Sequence, residues 1–266
     1  MAKRQTVMIS GASSGIGESL AGQFARGGYD LVLVARNEAR LLRLAKTLKA
    51  EHGINVTVEA IDLAKRNAAR TLSSRMTQQS IEVDILVNNA GVLEHGNFVD
   101  ISHADHQRII DLNILGLTSL LDYFLPPMIE RQRGKVLNVA SIAAFQPVPS
   151  LATYAASKAY VLSLTESLSE ELKGTGVSIT ALCPGITDTN MVSSAQEKSE
   201  GLTIPRFAIG DVDEVAHQGY RACIKGDVLC IPGAVNQVVT LAGRTTPKWL
   251  LRRVSGMVGR YSSRQQ

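Results

Sequence analysis

Seven apolar runs of four to seven residues, most of them without apolar/polar alternation, constrain this chain more than any other feature. They are Thr6–Ser10, Asp30–Ala35, Asn55–Ile61, Val83–Asn88, Lys135–Ala140, Val177–Leu182 and Val228–Ile231. A strand covered on both faces has no solvent side to fill with polar residues. It therefore reads as an unbroken Val/Ile/Leu segment, the pattern of a parallel sheet sandwiched between helices. Longer stretches of helical period lie between the runs: Gly15–Gly27, Asn37–Glu51, Lys65–Gln79, Ala104–Arg133, Ala152–Lys173 and Val212–Lys225. In Asn37–Glu51, for instance, Leu41, Leu44, Ala45 and Leu48 share one face. Regular β–α alternation predicts right-handed crossovers and an α/β fold, a Rossmann-type doubly wound parallel sheet of about seven strands flanked by helices.

No linker, low-complexity tract or repeat interrupts the 266 residues, so residues 1–266 are expected to form a single domain. Two segments depart from the alternation. Asp188–Gly210 is polar and Ser-rich, and its place after the sixth run suits a substrate flap over the strand ends. Residues 232–266 form a C-terminal extension in which WLLRRVSGMVGR reads as a short amphipathic basic helix.

Apolar residues make up 45% and charged residues 20%, a globular balance that argues against disorder. Net charge is +4, but acids and bases interleave, which argues against a nucleic-acid partner. The exception is the tail, where Lys248, Arg252, Arg253, Arg260 and Arg264 meet no acid; it reads as solvated surface, with contact to an anionic membrane as the alternative. Cys183, Cys223 and Cys230 lack metal-ligand spacing and are expected to be reduced, buried and inert, with no metal site. The N-terminal apolar run is too short for a signal peptide, and no stretch reaches roughly 18 uninterrupted apolar residues. A cytoplasmic location is the expectation.

The run VMISGASSGIG places a glycine cluster directly after the first strand and at the opening of the first helix. Gly11 permits a turn with positive φ, Gly15 lets backbone approach a pyrophosphate, and Gly17 lets helix and strand pack closely. The helix N-terminus then presents free N–H groups to the anion. At the end of the second strand, an acid would bind the ribose hydroxyl of NAD, whereas a base accommodates the extra phosphate of NADP. Here the strand ends in Ala35-Arg36, and a guanidinium suits bidentate phosphate contact, so NADP is the expected cofactor.

These motifs, with others further on, resemble the short-chain dehydrogenase/reductase family of the Tyr-x-x-x-Lys type, from Thr6 to about Thr189. Ser10–Gly17, including Ser13, Ser14 and Ile16, is similar to the family's cofactor loop, with serine where threonine is usual. Asp62-Leu63 resembles the pair beside the adenine ring, and Asn88-Asn89-Ala90-Gly91 the NNAG motif that lies along the cofactor. Asn113, Ser141, Tyr154 and Lys158 match the catalytic tetrad, and Pro184-Gly185 with Thr187 and Thr189 resembles the segment at the nicotinamide end. The resemblance further implies that Lys158 holds the nicotinamide ribose, that Asn113 anchors a proton-relaying water, and that the chain forms a homodimer or homotetramer.

The chemistry follows from the residue types. Tyr154 and Lys158 are four apart and share one helix face. A phenol with an ordinary pKa of about 10 is a poor base near neutrality, and an adjacent ammonium favours the phenolate. Tyr154 can then give a proton to a carbonyl or take one from an alcohol, with Ser141 fixing the same oxygen. The implied activity is interconversion of a carbonyl and a secondary alcohol. Val148, Pro149 and Leu151, with Met191, Leu202, Ile204, Pro205 and Phe207 in the flap, suggest a lipophilic small-molecule substrate. A β-ketoacyl thioester reductase is the alternative enzyme, and an NADP(H)-binding sensor or scaffold the non-catalytic one. His95, His103 and His106 read as surface residues, with His95 at the substrate mouth as the alternative.

Overall fold

A computed structural model describes residues 4–187 and 210–245. Six strands, β1 (Thr6–Ser10), β2 (Asp30–Ala35), β3 (Val56–Ala60), β4 (Ile85–Asn88), β5 (Gly134–Val139) and β6 (Val177–Leu182), are joined by a two-residue β7 (Leu229–Cys230). All pair in parallel in the order β3-β2-β1-β4-β5-β6-β7. The helices are α1 (Gly15–Arg26), α2 (Glu38–His52), α3 (Ala68–Gln78), α4 (His103–Ile110), α5 (Leu117–Glu130), α6 (Ala152–Glu171), α7 (Val212–Lys225) and α8 (Ala234–Thr245).

The missing alternation in the apolar runs has its explanation in two buried layers. Met8, Val32, Val34, Leu86 and Val136 face one core with α3, α5 and α6. Their neighbours Val7, Ile9, Leu31, Leu33, Val87 and Leu137 face the other, with α1, α2 and α7. Both sides of the central strands leave water, so both sides are apolar. Because β1 pairs with both β2 and β4, chain direction across the sheet reverses between β1 and β4. The loops at their carboxyl ends splay apart there and open a crevice.

Local signals set the helix bounds. The Asn37 side chain accepts from the Arg40 N–H at 3.0 Å and caps α2, while Gly53 ends that helix at φ 61°. Ser102 and Asp211 cap α4 and α7 in the same way. The expected single helix over Ala104–Arg133 instead contains a π-helical segment, Asp111–Gly116, between α4 and α5, and ends at Glu130. His103–Glu130 is long and apolar enough to cross a membrane by length and composition. Leu117, Leu120, Leu121, Phe124, Leu125 and Met128 of this run are, however, buried in the core beside the sheet.

Among the cysteines, Cys183 and Cys223 are buried, and burial pushes each thiol up to about 12. Cys230 departs from expectation: it is only partly buried, because β7 is a short edge strand. The expected flap and the basic tail, with Thr189, Met191, Leu202 and Lys248, lie outside the described residues. The chain ends that bound the flap sit side by side: the Gly210 N–H donates to the Ile186 carbonyl at 2.7 Å.

Candidate active site

The crevice is a cavity of about 1110 Å³ across the carboxyl ends of the strands, lined along its length by Gly11, Arg36, Asp62, Ala90, Ser141 and Tyr154. Ligand sites run to about 1,000 Å³, so this one has room for an extended cofactor with a substrate at its end.

At the β1–α1 turn, Gly11 and Gly15 have φ of 66° and 57°, which glycine adopts without strain. Ser14 opens α1 without a side-chain cap, so no side chain of its own competes for the first N–H groups of the helix. A Cβ at Gly17 would overlap the Gly11 carbonyl oxygen and Asn89 Nδ2; its close packing is therefore against the loop, where contact with the strand was expected. Ser10 completes the turn. Its hydroxyl donates to the Val87 carbonyl at 3.1 Å and accepts from the Asn89 and Ala90 N–H groups at 2.9 and 3.1 Å. Asn89 Nδ2 donates to the carbonyls of Ser10 and Gly11. One hydroxyl thus locks the NNAG backbone to β1, and serine performs this without the methyl group of threonine. The open amide end and two left-handed glycines fit a pyrophosphate.

Ser13, Ser14, Ile16, Leu63, Asn89 and Gly91 line the same cavity; Gly17 and Asn113 do not. Arg36 lines its end at β2, beside Glu38 and Arg40. Arg40, one helical turn into α2, was not singled out from sequence, because a lone arginine on a charged helix carries no signal.

At the other end, Tyr154 and Lys158 project from one face of α6. The Lys158 Nζ lies 5.7 Å from the Tyr154 ring centroid and donates to the Val139 carbonyl at 2.8 Å. Ser141 follows β5 and opens the 3-10 turn Ile142–Phe145, where its hydroxyl accepts from the Ala143 N–H at 3.1 Å. Burial raises the Tyr154 pKa, and its hydrogen bond with Ser141 opposes this. The direction is opposite to the push toward phenolate expected from Lys158, because burial is its largest cause. The same burial lowers Lys158 to about 8.

Asn113 stands on the π-helical turn, where its amide pairs with Val92 like a strand neighbour. Oδ1 accepts from the Val92 N–H and Nδ2 donates to the Val92 carbonyl, both at 2.9 Å, and Nδ2 also donates to Ser157 Oγ at 3.0 Å. Ser157 in turn donates to the Tyr154 carbonyl at 2.7 Å. Asn113 thus joins the NNAG strand end to α6. Glycine at position 91 makes room for this, since a Cβ there would lie 3.2 Å from Asn113 Oδ1 and 3.5 Å from Lys158 Nζ.

Several supporting contacts escaped the sequence reading. Below the site, Asn88 Nδ2 donates to Asn138 Oδ1, and Asn138 Nδ2 to Thr165 Oγ1, each at 2.9 Å in the buried interior. Only the sheet order, which sets β4 against β5 and α6 over both, brings these three together. Asn236 on α8 packs against Gly185, whose Cβ would lie 2.6 Å from Asn236 Nδ2. Pro184, Gly185 and Thr187 line the cavity, and so do Val148 and Leu151; His95, expected at the surface with the substrate mouth as the alternative, lines it too. Partial burial lowers the His95 pKa and favours the neutral ring.

A doubly wound parallel sheet, a glycine cradle at its first β–α turn and a Ser/Tyr/Lys cluster across the same cavity define a dinucleotide-binding oxidoreductase. The sequence model of the family described as short chain dehydrogenase matches residues 5–200, and the chain belongs to that family. The ketoacyl reductase HetN of Nostoc sp. is 33% identical over 210 residues, covering 76% of this chain and 71% of that protein. A short-chain dehydrogenase from Sphingobium yanoikuyae, solved in complex with NADPH, is similar with a TM-score of 0.81 and 33% identity, over 90% of this chain and 92% of that one. A short chain dehydrogenase/reductase from Burkholderia phymatum, solved in complex with NAD, reaches 0.80 at 25% identity over the same shares.

Proposed function

We propose that this chain is an NADP(H)-dependent oxidoreductase that interconverts a carbonyl and a secondary alcohol on a lipophilic small molecule. The observation that carries the reading is one cavity with Arg36 at one end and Ser141, Tyr154 and Lys158 at the other. NADP(H), when bound, supplies or accepts the hydride. Gly11, Ser13, Ser14, Gly15 and Ile16 would hold its pyrophosphate, Arg36 the 2′-phosphate, Asp62 and Leu63 the adenine, and Asn89, Ala90 and Gly91 its length. Pro184, Gly185, Thr187 and Thr189 would bound the nicotinamide end.

The Tyr154 hydroxyl donates its proton to the substrate carbonyl oxygen in reduction and takes it back in oxidation. Burial keeps Tyr154 protonated, the form that reduction requires. Ser141 donates to the same oxygen and fixes its position. Lys158 uses one N–H on Val139, which leaves two for the nicotinamide ribose hydroxyls. Asn113 Oδ1 retains a lone pair for a water that passes protons toward Lys158. Leu93, Val148 and Leu151 make the substrate end apolar, in keeping with a lipophilic substrate.

The protein is proposed to act in the cytoplasm, as one catalytic domain assembled into a homodimer or homotetramer, without nucleic acid. In support of assembly, Ile110, Leu115, Tyr123 and Tyr160 form exposed apolar positions on the α4–α5 run and α6. A β-ketoacyl thioester reductase is the second reading, favoured by the likeness to the Nostoc ketoacyl reductase.

The test is NADPH oxidation against ketones, aldehydes and acetoacetyl-CoA, with NADH and Tyr154→Phe in parallel. Turnover with simple ketones, falling about 10²–10⁴-fold in Tyr154→Phe while NADPH still binds, is the expected result. Preference for acetoacetyl-CoA would move the assignment to the second reading. Tight NADPH binding without turnover on any substrate would leave a cofactor-binding sensor.

A further inference from the structure

Resting on the reading of Tyr154 as proton carrier, we infer that His106 is a positioning residue that clamps the post-β4 wall at the substrate end of the cavity to the first turn of α6. That wall is the segment between Gly91 and Ser102, which forms no strand or helix yet contributes Leu93 and His95 to the cavity. The facing wall, between Phe145 and α6, contributes Gln146, Val148 and Leu151. Two irregular segments have no ladder of backbone bonds to hold their spacing, so individual contacts must set it.

One such contact is the Gly96 N–H, which donates to the Ser150 carbonyl at 2.9 Å. His106 supplies two more. Its Nε2 lies 3.0 Å from the Phe98 carbonyl oxygen, and its Nδ1 lies 2.8 Å from Thr153 Oγ1. A carbonyl can only accept, so Nε2–H is the donor; in the neutral ring Nδ1 then accepts from the Thr153 hydroxyl. The imidazole also stacks on the Phe98 ring, with centroids 4.4 Å apart and planes inclined by 29°. Thr153 immediately precedes Tyr154. The partly buried ring of His106 therefore connects the post-β4 segment to the residue before the proton carrier, although neither His106, Phe98 nor Thr153 lines the cavity. Such a clamp governs which substrates the mouth accepts and leaves the hydroxyl chemistry of Ser141 and Tyr154 intact.

The test compares wild type with His106→Phe, which keeps the stacking but loses both hydrogen bonds, and with Thr153→Val and Thr153→Ser. Hydrogen–deuterium exchange is the readout that does not depend on turnover. In His106→Phe, amides of residues 93–102 and 148–153 are expected to exchange about tenfold faster, with the interior of α6 unchanged. Thr153→Val should give a smaller rise confined to the same amides, Thr153→Ser should match wild type, and adding Thr153→Val to His106→Phe should change nothing more. In steady-state assays with NADPH, KM for decan-2-one should rise about fivefold relative to KM for butan-2-one in His106→Phe, with kcat for butan-2-one retained. Unchanged exchange in His106→Phe, or acceleration throughout α6 with both KM values moving together, overturns the clamp. Wild-type silence toward both ketones would count against the catalytic reading, and the exchange result alone would then decide the clamp.

Discussion

Lys158 holds its charge in surroundings that work against it. It is 5% exposed, and burial lowers its pKa from 10.5 to about 8. Because the folded value lies below the unfolded one, the unfolded chain binds the proton more tightly between pH 8 and 10.5. Stability from this group therefore rises with pH across that window, and the full cost of burying the ammonium is present below about pH 8. Lys158→Met removes the charge, so the Tm of the variant relative to wild type should be highest near pH 7 and decline between pH 8 and 10. Thermal melts of the two cofactor-free proteins across that range check this; a flat difference would mean the ammonium is not desolvated. Turnover should fall at least 100-fold in the same variant. A phenol and an amine four residues apart are legible in sequence, but the direction of each shift depends on how deeply the fold buries them.

At the scale of elements, the π-helical turn and the buried Asn88–Asn138–Thr165 chain set the geometry above them. The turn brings Asn113 to Val92, and Gly116 within it lies so close to α3's approach that a Cβ would sit 2.9 Å from the Leu63 carbonyl oxygen. Thr165→Val leaves Asn138 Nδ2 buried without its acceptor and should cost about 1–3 kcal/mol in urea unfolding. The isosteric change alters no cavity-lining group, so NADPH affinity should be unchanged. A cost near zero would indicate that a water replaces the hydroxyl. Periodicity located nearly all of these elements from sequence, and β1, β2 and β6 match to the residue. The π segment was not visible because a single turn with shifted hydrogen bonds carries no composition of its own.

At the scale of the molecule, the cavity runs from the end of β2 to the end of β6, so cofactor choice and chemistry are made far apart along one crevice. Arg36→Ala should lower kcat/KM for NADPH about 10–100-fold, the loss of a charged hydrogen bond, while kcat/KM for NADH stays within about twofold. Equal loss with both cofactors would place Arg36 outside phosphate recognition. Arg40 on the same wall is positioned to retain part of the preference, so the Arg36→Ala/Arg40→Ala pair should approach parity between the cofactors.

The amino-acid sequence by itself determined the doubly wound parallel fold, the glycine cradle and the Ser141/Tyr154/Lys158 grouping. The first two rest on short-range information, two-sided apolar strands and backbone freedom at Gly11 and Gly15; in the third, helical spacing pairs Tyr154 with Lys158, and the family resemblance adds Ser141. Tertiary structure alone decided what distant segments do to one another. It placed Ser10 under Asn89, Asn138 between Asn88 and Thr165, Asn236 against Gly185, and His106 between Phe98 and Thr153. It also reversed the expected shift at Tyr154, since desolvation is a property of the assembled interior that no local motif encodes.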